Sequence, residues 1–181
     1  FRRVLFRSLD RWIEQGKGDR TCLISPDEML TYAALQERVN RIANVLARDL
    51  GMVPGNRVLL RAPNTPMMAA AWLAVIKAGG VAVATMPLLR AKELSYPITK
   101  AKVALALCDG SLSDEMEKAK AQSSELKRVV YWGNGELEKL MAKPGYEKFT
   151  ACNTSAEDVC LIAFTSGTTG EPKGTMHFHQ I

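Results

Sequence analysis

Residues 57–85 read RVLLRAPNTPMMAAAWLAVIKAGGVAVAT, and this stretch decides the fold of the 181-residue chain. It begins and ends with the short apolar runs RVLLR and VAVAT, which are typical of buried strands. Between them, residues 66–78 predict a buried helix, because Pro66 suits the first helical turn and Gly79 supplies a left-handed stop. A strand, a helix and a strand in this order predict two parallel strands joined by a helical crossover.

The same alternation continues outward from this unit. Apolar residues at helical spacing predict a helix around 35–46, capped by Thr31 and ended by Gly51. We also predict helices near 91–101 and 112–121 and strands at 103–108, 128–132 and 159–164. Apolar strands that alternate with helices are typical of a parallel sheet covered on both faces, so we predict one layered α/β/α domain.

Composition excludes several classes of protein. The chain is 47% hydrophobic and 24% charged, and its net charge of +5 comes from basic residues scattered among acids. Nucleic-acid binding would need clustered bases, so we predict no nucleic-acid partner. The longest apolar runs, 67–76 and 78–89, are shorter than the roughly 18 residues of a membrane span. We therefore expect a cytoplasmic protein without a membrane span.

The cysteines do not form a metal motif. Cys108 lies in an apolar run, and we expect a reduced thiol there. A zinc site from Cys152, Cys160, His177 and His179 would need a cysteine gap of about two to four residues and a histidine gap of about three to five. The gaps here are seven and one, so we predict no metal ligands.

Residues 165–174, TSGTTGEPKG, follow the apolar run VCLIAF. Hydroxyl groups, glycines that expose backbone N–H groups and one lysine suit a phosphate-binding loop, although a run of small residues is also typical of a simple turn. The β-prone residues TMHF come next, so we predict that the loop joins two strands. It is neither a Walker A loop nor a GxSxG elbow, because Pro172, Gly174 and Phe164 occupy positions that those motifs reserve for other residues.

The run from Phe164 to Gly174 closely resembles the phosphate-binding loop of the adenylate-forming superfamily, approximately [YF]TSGTTGxPKG. The stretches DRW (10–12), LTYAAL (30–35), GMVPGNRV (51–58) and IKAGGVAVATMP (76–87) also resemble that family, in its order. The resemblance extends from about residue 9 to residue 181, and TMHFHQ and TMPLLRAKEL look most like benzoate or 2-aminobenzoate CoA ligases.

The resemblance implies part of the large N-terminal domain of an enzyme that forms an acyl adenylate from a carboxylic acid and Mg-ATP and then transfers the acyl group to coenzyme A. It implies that His179 lies near the acyl pocket, where many members carry a histidine. It implies that the β- and γ-phosphates of ATP bind to Thr165, Ser166, Gly167, Thr168, Thr169, Gly170 and Lys173.

The family's downstream motifs do not occur in this sequence, including its Thr-Glu pair, its ribose-binding aspartate and its late lysine. We therefore expect residues 1–181 to be the N-terminal portion of a truncated domain, without the C-terminal lid domain and without catalytic residues of its own. We expect this fragment to be inactive and to self-associate through apolar surface that the missing part would cover.

Three alternatives remain open at this stage. The chain could belong to another adenylate-forming enzyme, such as a peptide-synthetase adenylation domain. It could be a nucleotide-binding module of a different kind, for which the Walker spacing fails. It could also be a binding module with no chemistry.

Overall fold

The computed structural model describes residues 5–165 and 172–180. The helices are α1 (Leu5–Glu14), α2 (Tyr32–Asn44), α3 (Pro66–Lys77), α4 (Ala91–Lys100), α5 (Ser113–Ala121) and α6 (Glu136–Met141). The strands are β1 (Thr21–Ile24), β2 (Met29–Thr31), β3 (Arg57–Arg61), β4 (Val81–Thr85), β5 (Leu105–Asp109), β6 (Arg128–Trp132), β7 (Val159–Thr165) and β8 (Lys173–Phe178).

Six of the strands form one sheet in the order β6-β5-β3-β4-β7-β8. The first five run parallel, and β8 pairs antiparallel with β7 at the edge. The predicted β3-α3-β4 unit is confirmed, with Arg57 opposite Val81 and Arg61 opposite Thr85. Strands β1 and β2 form a separate antiparallel hairpin.

Both faces of the sheet are buried, which confirms the predicted α/β/α layering. Alternate strand residues such as Leu60 and Val130 pack into one core with α2 and α3. Their neighbours Leu59 and Val129 pack into a second core with α4 and α5. Because successive side chains of a strand point to opposite faces, apolar residues at every position supply both cores.

Local signals account for the boundaries of α2 and α3. The Thr31 hydroxyl accepts a hydrogen bond from the Ala34 N–H, as predicted for the first residue before α2, and Thr65 does the same for Met68 in α3. Gly79 has φ of +82°, the left-handed conformation expected at the end of α3. Helix α2 continues into a π-helical turn over Val45–Asp49 before Gly51 ends it.

Two features differ from the sequence-based prediction. Strand β5 begins at Leu105 instead of residue 103, because the chain leaves α4 through Lys102 at φ of +51° and the Val103 N–H still donates to the Ile98 carbonyl. The hairpin β1–β2 has no counterpart in the prediction, since its strands of four and three residues are too short to show an alternating pattern.

The connection from α6 to β7 is held against α2 by buried amides. The Asn44 side chain is fully buried, and its Nδ2 lies 3.1 Å from the Tyr146 carbonyl oxygen and 2.9 Å from that of Lys148. Asn40 donates from Nδ2 to the Glu147 carbonyl at 2.8 Å. These hydrogen bonds replace the regular backbone pairing that an irregular segment lacks, and they fix the path that leads to β7.

A buried ion pair ties three helices together. The Lys77 side chain, at the end of α3, is 4% exposed, and its Nζ lies 2.9 Å from Oδ1 of Asp10 in α1. The same oxygen accepts a 2.7 Å hydrogen bond from Nε2 of Gln36 in α2. Removing one partner of such a pair leaves a charge buried without compensation.

We predict that Asp10→Ala lowers the free energy of unfolding by about 2 to 3 kcal/mol, because the Lys77 ammonium loses its counterion in a site from which water is largely excluded. Urea denaturation measures this change. The control is Glu37→Ala, which removes an exposed pair with Arg41 and should cost less than about 1 kcal/mol. Equal losses in the two variants would contradict a special role for the buried pair.

Candidate functional site

The hairpin of β7 and β8 carries the glycine-rich run. Its cross-strand pairs end with Phe164 opposite Gly174 and then Thr165 opposite Lys173. The loop therefore joins two antiparallel strands, as the sequence predicted. The predicted phosphate-binding residues Ser166, Gly167, Thr168, Thr169 and Gly170 lie outside the described residues.

The two described members of the predicted phosphate set are brought together. Thr165 and Lys173 are directly opposite each other at the loop end of the hairpin, a position in which Cβ atoms are about 4.5 to 5.5 Å apart. Both residues are exposed, and within the described residues no hydrogen bond or ion pair engages either side chain. A hydroxyl and an ammonium group at this spacing can both contact one phosphate chain.

The loop end of the hairpin lies at the edge of the sheet where the parallel strands end. Strand β7 runs parallel to β4, so Thr165 lies at the same edge as Thr85 and as the carboxyl ends of β3, β5 and β6. In open α/β sheets, ligands bind in the crevice outside this edge. The fold therefore places Thr165 and Lys173 where a ligand is expected.

His179 lies at the end of β8 that is opposite Lys173. This residue follows β8, its side chain is 1% exposed, and its backbone N–H donates to the Asp158 carbonyl at 3.1 Å, beside the first residue of β7. Lys173 lies at the opposite end of β8, which a strand rise of about 3.3 Å per residue puts roughly 20 Å away. The structure therefore does not bring His179 next to Lys173, and its contact with an acyl group stays a prediction.

Arg61 is a polar residue of this edge that the sequence analysis did not select. It is the last residue of β3, it is 2% exposed, and its guanidinium donates to three carbonyls of the connection between β4 and α4. The acceptors are Met86 at 3.1 Å, Pro87 at 2.9 Å and Leu89 at 2.7 Å. Burial lowers the pKa of Arg61 below its usual value. In the sequence, the signal for this residue was one arginine at the end of an otherwise apolar strand.

Burial also changes the pKa of the neighbouring Cys108 thiol. Cys108 pairs with Arg61 across β3 and β5, and burial raises its pKa to about 12. A thiol with so high a pKa carries almost no thiolate at neutral pH, which disfavours a nucleophilic role for Cys108. It packs as a small apolar residue of the core, as expected from the sequence.

A separate groove of about 400 Å³ lies between β1 and the start of α3. Its wall contains no charged side chain and is mostly apolar, which does not suit a phosphate group. Its lining residues are Leu23, Ile24, Ser25, Asn64, Thr65, Pro66, Met68, Ala69 and Trp72. The groove is therefore not the candidate site for a nucleotide.

Two further observations concern metals and membranes. Over residues 5–165 and 172–180, no group of three or more His, Cys, Asp or Glu side chains lies close enough to hold a metal ion. In the same ranges, no helix combines the length and the apolar character needed to cross a bilayer.

Comparison with known proteins decides the family. The sequence matches the AMP-binding enzymes over residues 9–180. This chain belongs to the AMP-binding enzyme family. The match includes the hairpin and the complete parallel sheet, so the resemblance of the glycine-rich run extends to the whole fold.

Three curated relatives illustrate the match. The chain is 31% identical over 172 residues to the uncharacterized acyl–CoA ligase YtcI of Bacillus subtilis, covering 90% of this chain and 32% of that protein. It is 31% identical over 166 residues to benzoate–CoA ligase of Thauera aromatica, covering 91% and 32%. It is 33% identical over 162 residues to tyrocidine synthase 3 of Brevibacillus parabrevis, covering 90% and 2%. The chain thus spans about a third of the length of the two ligases.

Solved structures share this fold. The anthranilate CoA ligase AuaEII in complex with anthranoyl-AMP superposes with a TM-score of 0.89 at 23% identity, over 96% of this chain and 33% of that chain. ATP-bound MatB from Rhodopseudomonas palustris superposes with a TM-score of 0.81 at 27% identity, over 97% and 35%. The first likeness concerns the fold alone.

We predict that Arg61→Met lowers the free energy of unfolding by about 2 to 4 kcal/mol, because three carbonyls lose a charged donor. Arg61→Lys should recover only part of the loss, since an ammonium group cannot reproduce the planar fork of a guanidinium. Chemical denaturation provides the measurement.

The matched control for Arg61 is Arg128→Met, which removes an exposed arginine paired with Glu136 and should cost less than about 1 kcal/mol. If Arg61→Met lowered the free energy of unfolding no more than Arg128→Met does, the connection between β4 and α4 would not depend on the guanidinium.

Proposed function

We propose that residues 1–181 are the N-terminal portion of the large domain of an ATP-dependent carboxylate–CoA ligase, and that they carry its pyrophosphate-binding loop. The observation that carries this proposal is the pairing of Thr165 with Lys173 at the loop end of a hairpin, on the edge of the sheet where ligands bind in open α/β folds. Family membership and the benzoate–CoA ligase relative support the choice of reaction.

The proposed reaction has two steps. A carboxylate oxygen of the acid attacks the α-phosphorus of ATP, the bond to the β-phosphate oxygen breaks, and pyrophosphate leaves as the acyl adenylate forms. The thiol of coenzyme A then loses its proton to solvent, its sulfur attacks the acyl carbon, and AMP leaves with the electron pair of the broken carbon–oxygen bond. The first step builds negative charge on the departing pyrophosphate, so a cation placed beside it stabilises the transition state.

The proposed role of this chain is to bind and orient the β- and γ-phosphates. Lys173 supplies the positive charge, and Thr165 supplies a hydroxyl donor on the paired strand. We propose that residues Ser166, Gly167, Thr168, Thr169 and Gly170 complete this set, and that His179 contributes to the acyl pocket. Mg²⁺ would accompany ATP and neutralise its phosphates, but the described residues offer no carboxylate cluster for it.

A second candidate is an adenylation domain that passes its acyl group to a different thiol. The match to tyrocidine synthase 3 favours this second candidate, because the sequence identity of the chain to that protein is similar to its identity to benzoate–CoA ligase. Both candidates share the adenylation step and the same role for Lys173. They differ in the thiol acceptor, which a complete enzyme assayed with coenzyme A would distinguish.

The outer strand of the sheet supports the expectation of self-association. Along residues 5–165 and 172–180, β8 has β7 as its one strand neighbour, and on one of its faces the side chains of Met176 and Phe178 are 58% and 40% exposed. An unpaired edge with exposed apolar side chains is a site for contact with more polypeptide. We propose that the rest of a longer enzyme covers this strand and that the isolated chain associates through it.

We predict that Lys173→Ala weakens the binding of inorganic pyrophosphate to this chain by about tenfold, because a charge-assisted contact is lost. Isothermal titration calorimetry at low ionic strength measures the affinity, and added salt should reduce the difference. Lys139→Ala is the control, since Lys139 is exposed on α6 away from the hairpin. Equal affinities of wild type and Lys173→Ala would overturn the proposed role of this lysine.

We also predict that residues 1–181 alone do not catalyse carboxylate-dependent exchange of pyrophosphate into ATP, because the sequence supplies a phosphate-binding loop without the ribose and lysine motifs of the family. An isotope exchange assay with benzoate and with a fatty acid tests this. Exchange above background by the isolated chain would show that the motifs downstream are dispensable.

A further inference from the structure

The base of the glycine-rich loop is built around one aromatic ring. Phe164 is opposite Gly174, one pair before Thr165 and Lys173. A Cβ atom placed on Gly174 would lie 3.2 Å from Cε1 and 3.3 Å from Cζ of Phe164, and 3.3 Å from Cγ2 of Ile162. Gly174 is not among the residues with positive φ. Glycine at this position therefore provides room for the Phe164 ring, and a Cβ atom would make a tight contact with the ring.

Helix α4 contacts the same ring. The Tyr96 ring meets the Phe164 ring edge to face, with centroids 6.1 Å apart and an angle of 85° between the planes. This geometry is favourable because the positive edge of one ring faces the negative face of the other. Phe164 is thus in contact with α4 through Tyr96 and lies against Gly174 of β8.

Tyr96 belongs to a firmly held helix. Leu94 and Ile98, on either side of it in α4, are fully buried in the core beneath the sheet. The Ala91 N–H at the start of α4 donates to Glu115 of α5 at 2.8 Å. The position of Tyr96 is therefore determined by the core and not by the hairpin that it contacts.

We propose that Tyr96 is a positioning residue for Thr165 and Lys173, the paired strand residues on either side of the glycine-rich loop. It acts through Phe164: the edge-to-face contact keeps that ring over Gly174, and the ring keeps β7 and β8 paired up to Thr165 and Lys173. This inference rests on the proposed function for its consequence in ligand binding, but the packing claim has its own test.

The test compares Tyr96→Ala, Tyr96→Phe and Tyr32→Ala in the 181-residue chain. Tyr96→Phe keeps the ring and removes only the hydroxyl. Tyr32→Ala removes a different aromatic contact, the stacking of Tyr32 on Trp12 at a centroid distance of 5.2 Å, and controls for a general loss of stability. Amide hydrogen exchange of residues 164, 165, 173 and 174 reports on the end of the hairpin, and calorimetry with inorganic pyrophosphate reports on the site.

Tyr96→Ala should speed exchange at these amides by about tenfold relative to Tyr32→Ala and weaken pyrophosphate binding by about fivefold, whereas Tyr96→Phe should change neither by more than about twofold. In a Phe164→Leu background, Tyr96→Leu should have no further effect on either measurement. If Tyr96→Ala does not fold, Tyr96→Leu replaces it, because leucine keeps apolar bulk without a ring edge.

The outcomes separate the two proposals. Unchanged exchange in Tyr96→Ala and Tyr96→Leu, or equal acceleration in Tyr32→Ala, overturns the positioning role. Absence of pyrophosphate binding by the wild-type chain counts against the proposed function, and in that case the exchange measurement alone decides whether Tyr96 orders the end of the hairpin.

Discussion

Burial of the parallel sheet on both faces is the constraint on which the rest of this structure depends. Parallel strands cannot be joined by tight turns, so each crossover must carry the chain back along one face, and helices do this while covering apolar side chains. The consequence is that β3, β4, β5, β6 and β7 all end at one edge. The last residue of β7, Thr165, is then placed at the edge where the other parallel strands end.

Buried polar side chains donate hydrogen bonds to the backbone of irregular connections. Asn44 and Asn40 lie within hydrogen-bonding distance of carbonyls between α6 and β7, and Arg61 donates to carbonyls between β4 and α4. Carbonyls in such connections have no ladder partners, and one amide or guanidinium can donate to several of them. The regular elements thus depend on apolar contacts, and the connections depend on these few polar side chains.

The sequence predicted the parts of the fold that local patterns control. The β3-α3-β4 unit, the Thr31 cap and the left-handed Gly79 follow from neighbouring residues, and the structure has each of them. The partners of Asn44 could not be predicted, because Tyr146 is 102 residues away and no local pattern distinguishes a buried asparagine from an exposed one. Arg61 showed a weak signal, a charge at the end of an apolar strand, but its acceptors depend on the path of a distant connection.

The candidate site also combines features that local sequence predicted with one that depends on a distant residue. The run TSGTTGEPKG predicted a loop between two strands, and the paired Thr165 and Lys173 lie on those strands. Phosphate binding would explain glycines inside the loop, where backbone N–H groups must be accessible. It does not explain Gly174, which lies in β8 beneath the Phe164 ring, with no positive φ. Gly174 thus has a packing reason that phosphate binding does not supply, and Tyr96, from a helix far away in the sequence, contacts the same ring.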